Sequence, residues 1–256
     1  MNDESRFIKT AYAIQQGEIH QYYDRPCQDV IRVERNSRMV VMALSDGAGS
    51  CERSLYAAKA SVDWICEYML TDFEMTYNGA IKDEAALVRM LASESRDVFL
   101  HLNIPFEECC CTLIMVAVHS DGRWLAIHIG DGVIIKQEDK SEILSLPENG
   151  KEPNATYFLN GSHAEEHLRV YVGRLHGKGG FLITSDGMSC MLANSKTGQI
   201  AEAVDVMLNW VRNYPEEEVN ESLKWDMEEV FGKQNNDDMS IGLLWYEGEE
   251  NGCEVA

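Results

Sequence analysis

Basic residues are scarce in this chain of 256 residues. Lys and Arg together number 22 against 43 Asp and Glu, a formal net charge of −21. That balance excludes the clustered cationic surface on which general nucleic-acid binding depends. Long apolar runs are also missing. None approaches the roughly 18 residues a membrane span needs, and the opening MNDESRFIKT is too polar for a secretory signal. The expectation is a cytoplasmic protein with neither nucleic acid nor membrane as partner. There are only five prolines, no Pro/Gly/Ser-rich linker divides the chain, and no repeat of solenoid length appears. No Cys-x-x-Cys pair suggests zinc, and no Cys is followed six positions later by Arg, the spacing of a cysteine-dependent phosphatase. The eight cysteines are scattered, three of them adjacent at Cys109, Cys110 and Cys111, and read as reduced thiols.

What is present is a core of strand and helix patterns. Period-2 or β-branched runs predict strands at Phe7–Ile14, Val30–Val33, Met39–Leu44, Thr112–Val118, Trp124–Ile129, Val133–Lys136, Leu168–Val172, Phe181–Thr184 and Met239–Trp245. Helical spacing joins Leu55, Ala58, Val62, Ile65 and Met69, recurs across Asp83–Leu102 and through Ile200, Val204, Met207 and Val211, and places Val219, Leu223, Met227 and Val230 on one face. Glu216–Glu218 after Pro215 suits a helix first turn. Strands and helices do not alternate one for one, so a sheet sandwich flanked by helices is expected rather than a doubly wound sheet. Met39, Met42, Trp64 and Met69 read as core. The polar segment from Pro147 to His167 is expected to be a loop over the sheet edge that can shape access to a site.

Ser-Asp-Gly occurs at Ser45–Gly47, Ser120–Gly122 and Ser185–Gly187. The middle copy joins two strands and reads as a hairpin turn. In the other two an apolar strand runs straight into Asp46 and Asp186, which fixes each carboxylate at a strand end. Asp131, within Ile129-Gly130-Asp131-Gly132, and Asp237-Asp238, before the last strand, share this placement; Asp29 opens the second strand. Any one of these alone fits a turn or cap. Gathered together, they would repel one another unless metal ions lay between them, and an oxygen-only ligand set selects Mg²⁺ or Mn²⁺.

The ordered series Cys27-Gln28-Asp29, Leu44-Ser45-Asp46-Gly47-Ala48-Gly49, Cys111-Thr112-Leu113, Ile129-Gly130-Asp131-Gly132, Ile183-Thr184-Ser185-Asp186-Gly187-Met188 and Asn236-Asp237-Asp238-Met239-Ser240 resembles the metal-dependent serine/threonine protein phosphatases of type 2C, in a divergent bacterial-like branch. The resemblance implies an α+β fold over residues 1–246, an α–β–β–α four-layer sandwich of two antiparallel sheets flanked by helices, with 247–256 as a frayed acidic tail. It also implies two, in some members three, Mg²⁺ or Mn²⁺ ions. Asp46 would bridge two of them with the Gly47 carbonyl as a further ligand, Asp186 and Asp237 would complete the set, and Asp131 with Asp186 would hold the third. Asp29 would hold a metal-bound water. A hydroxide bridging two ions roughly 3.5–4 Å apart would attack the phosphorus of phosphoserine or phosphothreonine in a phosphoprotein, with no phosphoenzyme.

Three positions depart from the family pattern. Ala48 stands where many members carry a His that is a candidate general acid, and His20 is the candidate to replace it. Gln28 stands where many carry Glu. Arg25, the candidate to grip phosphate, lies one residue nearer Asp29 than the pattern expects. These departures keep a second reading open, a catalytically weak phosphatase-like binding or regulatory module. A separate reading takes His163-Ala164-Glu165-Glu166-His167 as the H-x-x-E-H signature of zinc peptidases; Gly161 before it and a strand immediately after leave little room for its helix, and solvated loop histidines are the default.

Overall fold

The computed structural model describes residues 7–150 and 156–248. In chain order the elements are β1 (Ile8–Gln15), α1 (Glu18–Tyr22), β2 (Asp29–Arg35), β3 (Met39–Asp46), α2 (Ser54–Lys82), α3 (Glu84–Leu100), β4 (Leu113–His119), β5 (Arg123–Ile129), β6 (Val133–Gln137), β7 (Ser141–Ser145), α4 (Ala164–His167), β8 (Arg169–Arg174), β9 (Lys178–Thr184), α5 (Asp186–Leu192), α6 (Glu202–Asn213), α7 (Glu216–Asp226) and β10 (Met239–Glu247). The strands form two five-stranded sheets, β1-β10-β9-β6-β7 and β2-β3-β4-β5-β8. Every pairing is antiparallel.

β3 shows why the chain makes four layers. Its side chains alternate, so Met39, Val41 and Ala43 pack with Ile65, Met69, Leu91 and Phe99 of α2 and α3. Val40, Met42 and Leu44 turn instead to Phe181, Ile183 and Leu244 of the opposite sheet. A strand buried on both faces must be apolar throughout, hence the unbroken run ending at Leu44. On the far side Val204, Met207, Leu208 and Val211 form the apolar stripe of α6 against Leu182, Ile241 and Leu243. The expected α–β–β–α sandwich of antiparallel sheets is therefore the observed fold.

The structure differs from expectation in several places. Val230 does not share the face of Val219, Leu223 and Met227: α7 ends at Asp226, a π turn over Met227–Phe231 follows, and its wider spacing leaves Val230 exposed. The helix expected through Leu55 begins at Ser54, after a loop that follows Asp46. β7 was not expected; it is short, has few apolar residues and pairs with β6 across a register shift at Ile134/Ile135. The 147–167 segment contains one helical turn, α4; residues 151–155 lie outside the described residues. β10 runs through Glu247, and 249–256, most of the expected tail, lie outside the described residues. The Asp121-Gly122 turn joins β4 and β5 as expected, with Gly122 at φ 87°.

Close backbone approach holds the site end together. A Cβ on Gly187 would lie 2.1 Å from the Asp238 carbonyl oxygen, and one on Gly17 would lie 2.4 Å from the Asp237 carbonyl carbon. Gly187→Ala is expected to cost about 1–3 kcal/mol of stability, read as a lower denaturant midpoint, together with weaker Mg²⁺ binding by calorimetry. An unchanged midpoint would show that this approach is not tight.

Candidate metal centre

The acidic residues come together at one end of the sandwich because antiparallel pairing brings their strand ends to the same edge. Asp29 and Asp46 are direct Cα partners in the β2–β3 ladder, an arrangement that like charges make unfavourable. Asp46 is fixed through its backbone: its N–H donates to Thr112 Oγ1 at 3.0 Å, and its carbonyl accepts from Thr112 N–H at 2.9 Å. The β9 and β10 ends are joined by Ser185 Oγ, which accepts from Ser240 N–H at 3.1 Å, and by Thr184 Oγ1, which donates to the Ser240 carbonyl at 2.8 Å. This places Asp186, the first residue of α5, beside the strand that follows Asp237.

Asp46, Asp131 and Asp186 each offer a carboxylate oxygen, all within 4.8 Å of one another. Asp237 stands outside this trio. It is exposed, and its Oδ1 accepts from the Asp238 N–H at 2.9 Å, yet its charge acts on Asp46, Asp131 and Asp186. Burial first, then repulsion from Asp131, Asp237 and Asp29, pushes the Asp186 carboxyl up to about 7. Burial likewise raises Asp29 to about 6, with Asp238 adding repulsion and the Ser240 and Ser185 hydroxyls opposing it. Asp46 is raised well above the usual carboxylate range by burial and by Asp29, Asp186, Asp131 and Asp237, and Asp131 is raised chiefly by burial.

The donor set fits divalent ions. It is all oxygen, it is anionic, and among the described residues no Lys, Arg or His forms an ion pair with Asp29, Asp46, Asp131 or Asp186. Both Asp29 carboxylate oxygens are buried and, among the described residues, have no well-formed hydrogen bond, with only the nearby Ser240 and Ser185 hydroxyls to offset their charge. Groups in that condition call for a cation that the protein itself does not provide. The Gly47 carbonyl stands at the same loop, its residue bridged to Cys111.

A second acidic residue does different work. Asp238 is buried; its Oδ2 accepts from His20 Nδ1–H at 2.8 Å and from Gln28 N–H at 2.6 Å, and its Oδ1 accepts from Gly17 N–H at 2.8 Å. With Nδ1 so engaged, His20 turns Nε2 toward the Asp46–Gly49 loop, where a Cβ on Gly49 would lie 3.7 Å away. The ring therefore stands next to Gly49, in the loop that carries Ala48. Arg25 reaches the same loop, donating from Nη1 to the Gly49 carbonyl at 3.2 Å. Gln28 donates from Nε2 to Ser54 Oγ at 2.7 Å and to the Cys51 carbonyl at 3.2 Å. An ionised Glu has no proton to donate there, which accounts for the amide. Sequence reasoning assigned nothing to Asp238; its signal is the alternation of neighbouring residues at a strand start, which points Asp237 and Asp238 to opposite sides.

The zinc-peptidase pattern does not assemble. His163 is exposed and pairs with Glu166 at 3.1 Å, while His167 pairs with Glu148 at 2.8 Å and stacks on Tyr157. α4 is four residues long, and among the described residues only the Asp46, Asp131 and Asp186 group has metal-binding spacing.

A four-layer sandwich with an oxygen-only metal centre at its sheet ends defines a metal-dependent phosphoester hydrolase. The sequence profile described as Protein phosphatase 2C matches residues 16–225, and the chain belongs to that family of metal-dependent serine/threonine protein phosphatases, which use Mg²⁺ or Mn²⁺. Among proteins of curated function, none matches the sequence significantly. Solved structures share the fold. The S. agalactiae serine/threonine phosphatase is 14% identical, with 94% of this chain and 100% of that one covered and a TM-score of 0.64. RsbX in complex with magnesium is 16% identical, with 94% and 96% covered and a TM-score of 0.58. PppA of Pseudomonas aeruginosa is 15% identical, with 94% and 97% covered and a TM-score of 0.56. No described helix is long and apolar enough to cross a membrane.

Because the folded-state carboxyl of Asp186 lies above its unfolded value, the folded chain holds more protons between the two, and metal-free stability falls as pH rises from about 4 to about 7. In EDTA at pH 7.5, Asp186→Asn is expected to be more stable than wild type by about 1–2 kcal/mol, and to lose the thermal stabilisation that Mg²⁺ gives wild type. Equal melting temperatures in EDTA would show that the repulsion is relieved some other way.

Proposed function

We propose that this phosphatase removes phosphate from phosphoserine or phosphothreonine in a protein partner, with Asp46, Asp131 and Asp186 as the core of ion binding. Asp237 and the Gly47 carbonyl complete the ligand set. The observation that carries this assignment is the convergence of three carboxylates within 4.8 Å, with no basic side chain paired to them among the described residues. The ions, when bound, supply charge neutralisation for the phosphoryl oxygens and an activated water. Asp29, buried beside Asp46, orients that water. Arg25, held over the Asp46–Gly49 loop, draws the phosphoryl group in and aligns it.

His20 is the proposed proton donor to the departing serine or threonine oxygen, from Nε2. Asp238 is a positioning residue: its carboxylate holds the Nδ1 proton and the ring orientation. This supplies from α1 a group that Ala48 cannot. The seven described cysteines are all unpaired, which suits a reducing compartment, and we place the enzyme in the cytoplasm.

Hydrolysis of p-nitrophenyl phosphate and of a phosphothreonine peptide, with Mn²⁺ and with EDTA, tests the assignment. Asp46→Asn and Asp186→Asn are expected to lower turnover about 10³-fold with an unchanged far-UV spectrum; retained activity in both would sink it. No turnover in wild type, with no metal binding by calorimetry, would favour a phosphatase-like binding module. Arg25→Ala should mainly raise KM.

The leaving group separates out His20. A nitrophenolate departs without a proton and an alkoxide does not, so His20→Gln should slow the phosphopeptide about 100-fold and leave p-nitrophenyl phosphate nearly unchanged. Asp238→Asn should show the same split, smaller. Equal losses on both substrates would make His20 structural.

A further inference from the structure

Away from the metal centre, a cavity of about 290 Å³ lies between α3 and the turn before α4. Arg89, Ser93 and Arg96 line it from α3, and Phe106, Asn160 and Ser162 close the other side. Spacings of four and three residues put the α3 side chains on one helical face. The Arg96 guanidinium lies over the Phe106 ring, 4.5 Å from its centroid, which fixes where its charge is presented.

Neither arginine has a carboxylate partner among the described residues. Some other arginines of the chain do hold carboxylates. Arg123 holds Glu74 and Asp121, Arg32 holds Glu34 and Asp63, and Arg212 holds Glu247. The Ser93 and Ser162 hydroxyls likewise have no partner among the described residues. Glu165 lies on the opposite lip, so an anion is favoured on the α3 side.

The cavity shares a wall with the metal loop. Asn160 Nδ2 donates to the Phe106 carbonyl at 3.0 Å and lies 3.7 Å from Cys110 Sγ. The Cys110 carbonyl in turn accepts from Ala48 N–H at 2.9 Å. Leu159 N–H donates to the Cys111 carbonyl at 2.8 Å, and Cys111 is bridged to Gly47.

We propose that this cavity binds an acidic segment of the phosphoprotein substrate while its phosphorylated residue occupies the metal centre, an inference that rests on the phosphatase reading. The arginine positions stand two turns apart, about 10 Å along the helix, and Arg96 is held in place by Phe106. That geometry suits successive Asp or Glu side chains better than a single phosphate. In a chain of net charge −21, two arginines on one helix face, one of them held over Phe106, offer such a segment a local cationic wall.

Three phosphoserine peptides of equal length test the proposal: one with Ala flanks, one with Glu pairs on both sides, and one with a second phosphoserine in place of Glu. Wild type should show a lower KM for the Glu peptide than for the Ala peptide. The double variant Arg89→Ala, Arg96→Ala should raise KM for the Glu peptide about five- to tenfold, leaving the Ala peptide and p-nitrophenyl phosphate unchanged. Arg89→Gln, which removes no contact among the described residues, should raise it about two- to threefold if the double variant does not fold. Equal effects on the Ala and Glu peptides, or a preference confined to the doubly phosphorylated one, would overturn the assignment. Fluorescence anisotropy of the labelled Glu peptide on Asp186→Asn, with and without Arg89→Gln, reads the cavity without turnover. Binding weakened by Arg89→Gln upholds the cavity even where no peptide is hydrolysed, and binding indifferent to it does not.

Discussion

Mutual repulsion among carboxylates is the constraint on which the site end of this protein depends. Asp29 faces Asp46 across a ladder, Asp186 arrives from the other sheet, and Asp131 from the β5–β6 turn that joins the two. Among the described residues no basic side chain pairs with them, so the scaffold must hold them against their own charge. It does so with backbone geometry: Thr112 grips both sides of the Asp46 peptide unit, and Ser185 and Ser240 tie β9 to β10. Two glycines let the β10 approach pack directly against α5 and the β1–α1 turn. Rigid strand ends suit this purpose, since a ligand on a mobile loop would swing away from its like-charged neighbours.

Most of this frame was legible in the residue pattern. A run such as Met39–Leu44 has one reading, a strand buried on both faces, and its direct continuation into Asp46 located the carboxylate. Less was legible where local signal is weak. β7 carries Ile143 and Leu144 among serines and a glutamate, and exists because β6 offers it an edge. α1 is five residues long, and its place is set by contact with Asn236 and Asp237 rather than by periodicity. Val230 was misplaced because a π turn interrupts the helical period, and no composition signal announces such a turn.

The site divides the same way. Asp46, Asp131 and Asp186 were found as strand-end aspartates, whereas Asp237, placed with them, stands just outside. Asp238 was passed over because it looks like a duplicate of its neighbour. Its role depends on Gly17, His20 and Gln28, more than 200 residues away in the chain, meeting at one carboxylate. The departures at Gln28 and Ala48 become intelligible only together. Gln28 gives its backbone N–H to Asp238 and its side-chain amide to Ser54, while His20, aligned by the same Asp238, faces the loop that holds Ala48. One buried carboxylate thus organises both altered positions.

That arrangement sorts the acidic residues by the partner each one has. Asp238 is buried but accepts three hydrogen bonds from the protein, which favours its ionised form with no external cation. Asp29 is equally buried, and the Ser240 and Ser185 hydroxyls offset that burial only in part, so an ion that binds the folded state relieves its charge together with those of Asp46 and Asp186. Any such ion stabilises the native chain in proportion to its concentration. Folding and metal loading are therefore linked at the same carboxylates. The mutual repulsion of these carboxylates is also the source of their affinity for a cation, because protein dipoles that satisfied these oxygens would leave less for a cation to gain.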